Sequence, residues 1–500
     1  MSSTVVVIAL IVGSLFFLVY RKNRWYRFDI WLISWFRHYL NRRHGLPHIP
    51  DGTCRHIIFC FVDHFEPGTG GVDSAQSLNR FNAWVNGFPP LANQFQDSDG
   101  RPPQHTFFFP PNYFCDDFLS RLAAFDWNGY GEVEFHLHHS GDTSESLRVK
   151  IKETIKSYSQ YGVFLTEGDP VGRSYGFVHG DWALDNSRPE YCGVNDELTI
   201  LSETGCYADF TFPSLGPAQP SVVNTIYRAK DDPKEPKSYN TGVALKAGIP
   251  GEPSDLMLIT GPIGFRSRRK FPGFAVEDAD VTGEAPGTFQ RVREWVRTGI
   301  HVSGRPEWIF VKVHTHGAVE RHWDALLGQG AERMWTTLCE EFNDGKEYKL
   351  HFVTAREMYN IARAAELGMT GNPHKWRDFE IPAYLSRSIL SNKPFRAMRF
   401  TDECFELHWE DFDSEILVKL KKSPIRVLKG VIISATLTDM ELILTGRGLF
   451  IVGLIKNWSL RGSGVQLSPV EKIKEDGVDV DIYQCWSKEE CVQLDLIKND

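Results

Sequence analysis

From Arg55 onward, short apolar runs alternate with amphipathic stretches, the pattern expected of parallel strands joined by crossover helices. RHIIFCFVDH and HTFFFP read as buried strands, with SLNRFNAWVNGF as a helix between them. NYFCDDFLSRLAAF reads as a helix and EVEFHLHH as a strand. SESLRVKIKETIKSYSQYG follows as a helix with Leu147, Ile151 and Ile155 at fours. The rhythm continues through RSYGFVHGD, ELTILSETG, CYADFTFPS, WIFVKVHTH, RMWTTLCEEFND and KLHFVTAREMYNIARAAEL. Polar groups recur at the C-terminal ends of these strands, where barrel active sites are built, so an α/β barrel, complete or incomplete, suits the count better than an open sheet. Residues 219–287, rich in proline, glycine and charge, predict loops and a small excursion inserted in a barrel over 51–390. From about Lys393, FRAMRFTDECFELHW, SEILVKL, GVIISATL and ELILTG read as successive strands without helices, a β-rich domain over 391–500.

The N-terminal pattern differs. TVVVIALIVGSLFFLVY carries no charge and is about long enough for a span of roughly 20 residues. No basic stretch precedes it and no small-residue cleavage site follows, so residues 1–20 predict an uncleaved transmembrane anchor. Arg21, Lys22, Arg24 and Arg27 all come after the span, which places the rest of the chain on the cytoplasmic side. Residues 21–50 mix Trp25, Trp31, Trp35 and Phe36 with Arg24, Arg27, Arg37, Arg42 and Arg43. That composition predicts a helix lying in the headgroup plane, with an amphipathic core helix as the alternative.

Composition narrows the function classes. Five hundred residues allow two or three domains. A net charge of -9 and a pI near 6.0 give no reason to expect a nucleic-acid partner. Nine cysteines without a C-x-x-C pair argue against a disulfide framework or zinc ribbon, and fit a reducing compartment.

Four polar clusters fall at predicted strand ends. FVDHFEP carries Asp63, His64 and Glu66, and EVEFHLHHSGDT carries His136, His138, His139 and Asp142. GFVHGDWALDNS carries His179, Asp181, Trp182, Asp185 and Asn186, and FVKVHTHG carries His314 and His316. Alternation puts His136 and His138 on one strand face with Glu134. Imidazoles and carboxylates converging from several strand ends can hold a divalent metal, lower the pKa of its water, and supply a base and an acid. Turns and caps are the alternative for DH, HGDW and DNS.

The order of these segments over about Arg55 to Ala364 resembles the polysaccharide deacetylase family, metal-dependent carbohydrate esterases built on an incomplete α/β barrel. FVDH stands where that family has a strand ending in two aspartates, and HTFFFPPNYF resembles its second strand. GEVEFHLHHSGD stands at Glu-Ile-Gly-x-His-Ser/Thr-x-x-His, GFVHGDWALDN at the Arg-x-Pro-x-Gly loop, and WIFVKVHTHG at the late Leu-x-x-His. YKLHFVTAREM resembles the closing strand and helix.

The resemblance implies Asp63 as general base, His64 in place of the metal-binding aspartate, and His136 as the first metal histidine. The family's second histidine is Ser140 here, so His138, His139 or Asp142 would complete the ligand set. His314, with His316 as rival, would protonate the leaving group, and His179, Trp182 and Asp185 fall in the substrate-facing loop. Zinc suits imidazole and carboxylate donors, with nickel and iron also served. The implied reaction is removal of N-acetyl groups from a glycan or glycan precursor at the membrane. A glycosidase using Asp63, Glu66 and Asp185 as paired carboxylates is a second reading. A non-catalytic glycan-binding or assembly component is a third.

Overall fold

The computed structural model describes residues 26–42, 45–164, 173–267, 274–384, 389–391, 395–400, 404–409, 415–420, 423–438, 441–462, 465–475, 478–487 and 491–499. The chain divides into two compact units. The first comprises Met1–Tyr113, Glu134–Lys152 and Val171–Ile381, and the second Phe114–Val133, Glu153–Pro170 and Pro382–Asp500.

The first unit is built on a mostly parallel sheet. Its strands are β1 (Arg55–His64), β2 (His105–Phe109), β3 (Gly131–Leu137, whose Glu134–Leu137 part lies in this unit), β4 (Tyr175–His179) and β5 (Cys206–Asp209). They continue through β6 (Ile226–Ala229), β7 (Val243–Ala244) and β8 (Leu256–Ile259). The hairpin β9 (Gly264–Ser267) and β10 (Phe274–Glu277) stands apart, and β11 (Trp308–Thr315) and β12 (Tyr348–Val353) complete the set. The order is β11-β1-β2-β3-β4-β5-β8-β6-β7, with β12 also on β1. Continuous apolar runs such as IIFCFV make strands buried on both faces, as parallel sheets require. β6, β7 and β8 all arise inside the proline- and glycine-rich region 219–287, and β8 joins β5 in parallel, so that region contributes three strands to the sheet.

The sheet is strongly curled. His64 on β1 and His136 on β3 have ring centroids 4.9 Å apart although β2 lies between their strands, whereas two flat strand spacings would be about 9.6 Å. Lys312 on β11 reaches across to donate to the Phe210 carbonyl at 2.6 Å and to that of Phe212.

Two expectations need correction here. The fold is not a deacetylase-type α/β barrel behind a membrane anchor: it is mixed α/β, with an open sheet in the first unit and a nearly closed β barrel in the C-terminal part. Among the described residues no ladder joins the far edge of that sheet, where β7 pairs antiparallel with β6 and β6 with β8, to β11. The single N-terminal span with a cytoplasmic body is not supported either: among the described residues no helix is long and apolar enough to cross a membrane. Residues 1–20 themselves lie outside the described residues. Within 21–50, the helix Phe28–Arg42 buries Trp31 completely against Val223 and Ile263, with Phe28, Trp35 and Phe265 around it. At least one aromatic face of that segment is therefore packed against protein, while Ile33 and Phe36 stay exposed.

The C-terminal strands of the second unit are β13 (Ile389–Ser391), β14 (Phe395–Phe400), β15 (Cys404–Trp409), β16 (Ile416–Leu420), β17 (Ile425–Thr438) and β18 (Glu441–Ile455). They end with β19 (Trp458–Arg461), β20 (Gln466–Glu475), β21 (Val478–Trp486) and β22 (Cys491–Lys498). All their pairings are antiparallel, and the long β17 and β18 run at the centre, with β15 and β16 on β17 and β21 and β22 on β18. IRVLKGVIISATLT alternates buried and partly exposed positions over much of its length, the signature of a sheet with one face inward.

Candidate metal centre

Strand alternation decides which groups share the concave face of the first sheet. On β1, His64 points to one face and Asp63 to the other. β1 and β11 run in parallel register with Val62 beside His314 and Asp63 beside Thr315, so His316 just past β11 comes level with His64. Their ring centroids lie 4.6 Å apart, and Trp182 stands 5.7 Å from His64 and 5.5 Å from His316. Glu66, in the turn after β1, meets the end of β3: its Oε1 is 2.9 Å from His138 Nε2 and 3.9 Å from His136 Nε2.

His136 is buried and its Nδ1–H donates to the Val178 carbonyl at 2.9 Å. A carbonyl only accepts, so a neutral His136 carries its lone pair on Nε2, which is buried with no hydrogen-bond partner among the described residues. His64 Nε2 is in the same condition. Burial holds His136 down at about 4 and His64 well below its ordinary value, the latter helped by the neighbouring imidazoles. His138 goes the other way. Burial would lower it, but hydrogen bonds to the carboxylates of Asp181, 3.1 Å from Nδ1, and Glu66 raise it to about 9. Burial pushes Glu66 up, and its hydrogen bond with His138 and the charges of His136 and His138 more than offset this, so it lies below its usual range.

Glu66, His136 and His138 thus form one group that could hold a metal ion, with donor atoms within 4.8 Å of one another. The chemistry fits: two imidazole nitrogens and a carboxylate are ordinary donors for a divalent transition ion. The buried His136 lone pair, 3.9 Å from that carboxylate, has no proton to reconcile the two. His139, His179, Cys192 and Glu197 form a second such group, and Asp97, Asp99 and His351 a third.

The remaining sequence candidates fall elsewhere. Asp63 is fully buried on the opposite face from His64, the face where Phe59 and Phe61 pack on Trp335. Its Oδ1 accepts from Gly317 N–H at 2.6 Å and its Oδ2 lies 2.9 Å from His105 Nε2, so both oxygens are engaged and it is not placed as the general base. His139 points away from His138, and Asp142 accepts from it at 3.1 Å and from Lys150 at 2.7 Å; neither completes the set around His136. His179 joins His139. Asp185 is fully buried, accepting from Ser238 N–H at 2.5 Å, and burial with the charge of Asp231 raises it to about 8. His314 is buried on β11, one residue pair below His316, with Nδ1 unpartnered among the described residues.

Three residues were missed as ligands or supports. Glu66 was visible in FVDHFEP but assigned no metal role. Cys192 and Glu197 had no recognisable spacing, and only their place in the fold brings them to His139 and His179.

No protein-family model matches the chain, and no curated protein is similar to it. Among solved structures, the catalytic module of a family 98 glycoside hydrolase from Streptococcus pneumoniae TIGR4, in complex with the LewisY pentasaccharide blood group antigen, aligns at 8% identity. The alignment covers 90% of this chain and 99% of that one with a TM-score of 0.17, a value that establishes no common fold.

Proposed function

We propose that the protein is a metal-dependent hydrolase that cleaves an amide, and that its substrate class is an N-acetylated sugar or glycan. The observation that carries this reading is the convergence of Glu66 with His136 and His138 beside the buried, unpartnered Nε2 atoms of His64 and His136. Glu66, His136 and His138 would hold the ion, with His64 adjacent; zinc suits this donor set best. When bound, such an ion supplies Lewis acidity toward a carbonyl and lowers the pKa of water. The glycan assignment rests on the segment order that resembles polysaccharide deacetylases.

The side chains divide the remaining work. His138 and His316 are partly exposed and Trp182 lies beside His316, so these three face an incoming substrate, while His64 and His136 lie beneath them. Burial lowers His316 and the carboxylates of Glu66 and Asp63 oppose this. The outcome is a pKa below the ordinary value, so the ring is neutral at pH 7 and able to accept a proton from water. Water's hydroxyl adds to the acyl carbon, the carbon–nitrogen bond breaks with its electron pair going to nitrogen, and the proton on His316 passes to the departing amine. Asp181 orients His138, and Trp182 offers an aromatic face of the kind that stacks on sugar rings.

The test is metal content together with acetate release from N-acetylated oligosaccharides, for the wild type, Glu66→Gln and His136→Ala. Loss of one metal equivalent and of acetate release in both variants is expected. A wild type that binds metal at this site and acetylated glycan but releases no acetate would favour a binding component over an enzyme.

A further inference from the structure

The second buried group lies one residue further along the same strand end. His139 Nε2 is 2.9 Å from His179 Nε2 and 3.0 Å from Glu197 Oε1, and His179 Nε2 is 3.4 Å from that same oxygen. Cys192 Sγ is 3.5 Å from Glu197 Oε2, and all four donor atoms lie within 4.8 Å of one another. Every member is buried, with His179, Cys192 and Glu197 at 0% exposure and His139 at 6%.

The outer nitrogens fix the tautomers. His139 Nδ1 faces the Asp142 carboxylate at 3.1 Å, and His179 Nδ1 faces the Gly180 carbonyl at 2.5 Å. Both partners only accept, so each Nδ1 carries a proton and each neutral ring turns a lone pair inward. Nε2 of both rings and a carboxylate oxygen then converge, and with both rings neutral no hydrogen lies among them. That arrangement is repulsive in a protein interior and suits a cation. Imidazoles whose outer N–H is held by a carboxylate or backbone carbonyl are the usual form of metal-ligating histidine. A tetrahedral zinc site with bonds of about 2.0–2.3 Å has donor separations of roughly 3.3–3.8 Å, against 2.9–3.5 Å among these side chains. Thiolate and carboxylate together neutralise a divalent charge, so the filled site carries no net charge in its buried setting.

We propose that His139, His179, Cys192 and Glu197 form a closed structural zinc site, separate from the candidate centre at Glu66 and resting on its own donor geometry. Four protein donors leave no position for substrate. The site ties the end of β3 to the end of β4 and to the first residue of the helix Glu197–Glu203. The loop between His179 and Cys192 holds Asp181, Trp182, Asp185 and Asn186 at φ of 54°, 54°, 50° and 50°, conformations that side chains other than glycine disfavour. Zinc at its two ends holds this loop, and with it Asp181 on His138 and Trp182 beside His316.

Cys192 gives the site a signature that the Glu66 group, without sulfur, lacks. The full-length protein, loaded with cobalt(II) and assayed for metal content, is expected to show a near-ultraviolet thiolate-to-cobalt charge-transfer band together with intense tetrahedral visible bands. The near-ultraviolet band disappears in Cys192→Ser and persists in His136→Ala, which instead loses the metal of the other site. A cobalt-saturated wild type without a thiolate band overturns the proposal, and that measurement does not depend on any variant folding. Survival of the band in Cys192→Ser overturns it equally. Failure of His136→Ala to lose metal would count against the Glu66 centre alone.

Discussion

His138 and His139 are neighbours in the chain, yet they serve two different clusters. His138 turns toward Glu66 and Asp181 and is partly exposed, while His139 turns toward His179 and Glu197 in a closed pocket. Gly180 lies in the wall between them: its carbonyl accepts from His179, and a Cβ added there would lie 2.5 Å from the ring of His138. One strand end thus feeds an accessible site suited to chemistry and a sealed one suited to holding a loop. The difference follows from the neighbours each ring meets, since the residue type is the same.

The sharpest way to break this contrast is to remove one donor from each cluster. His136→Ala should remove the metal held at Glu66 and with it the hydrolysis that the ion supports, while its stability falls by the loss of one buried side chain and its hydrogen bond, about 1–3 kcal/mol. Cys192→Ser should do the reverse in its first effect. It leaves His139, His179 and Glu197 buried without their fourth donor and should cost about 3–5 kcal/mol, the scale of an uncompensated buried charge, read by urea unfolding. Equal stability losses in both variants would erase the distinction.

Smaller changes sharpen it. Gly180→Ala should push His138 off Glu66 and Asp181 through an overpacking cost of about 1–3 kcal/mol, lowering activity more than metal content at the Cys192 site. Gly317→Ala would drive a methyl into Asp63 and Trp84 and should displace His316; about a tenfold fall in kcat with unchanged metal content is expected by the same overpacking argument.

A control lies remote from both clusters. Arg228 holds Glu366 through two bonds of 2.8 Å, and burial, which would raise the Glu366 carboxyl, is outweighed by this pairing so that it falls to about 2. Its folded pKa is below the unfolded one, so its stabilisation is complete above about pH 4.5 and is lost as pH falls through about 2. In urea unfolding across that window, Glu366→Gln should flatten the acid-side slope without altering metal content.

Much of the parallel sheet was legible because continuous apolar runs such as RHIIFCFV can only be strands buried on both faces. β8 was not, since LMLI sits among the prolines and glycines of 219–287 and its partner β5 lies far back in the chain. His136 and His138 were readable as one face from alternation, whereas His139, expected to complete the same ligand set, faces His179 and Glu197 instead. Asp63 misled for the same reason: the alternation that aims His64 inward aims Asp63 outward, against His105 and Gly317. Cys192 and Glu197 carried no sequence signal because C-x₄-E is not a spacing that any single local element imposes. Only the packing of a turn and a short helix on β4 brings them to the histidines.

The threading of the second unit has a consequence for how the chain can be cut. Its strands are made last, yet it also includes Phe114–Val133 and Glu153–Pro170, which are made first. Asn128 at the end of the helix Asp116–Trp127 holds the Phe395 backbone from both sides, with its amide nitrogen 3.0 Å from the carbonyl and its oxygen 3.2 Å from the N–H. On the ribosome those early segments must wait for residues synthesised more than two hundred positions later. A shortened chain stopping at Ile381 would be left with an unfinished seam in its middle, open to chaperones and proteases, rather than a clean new end.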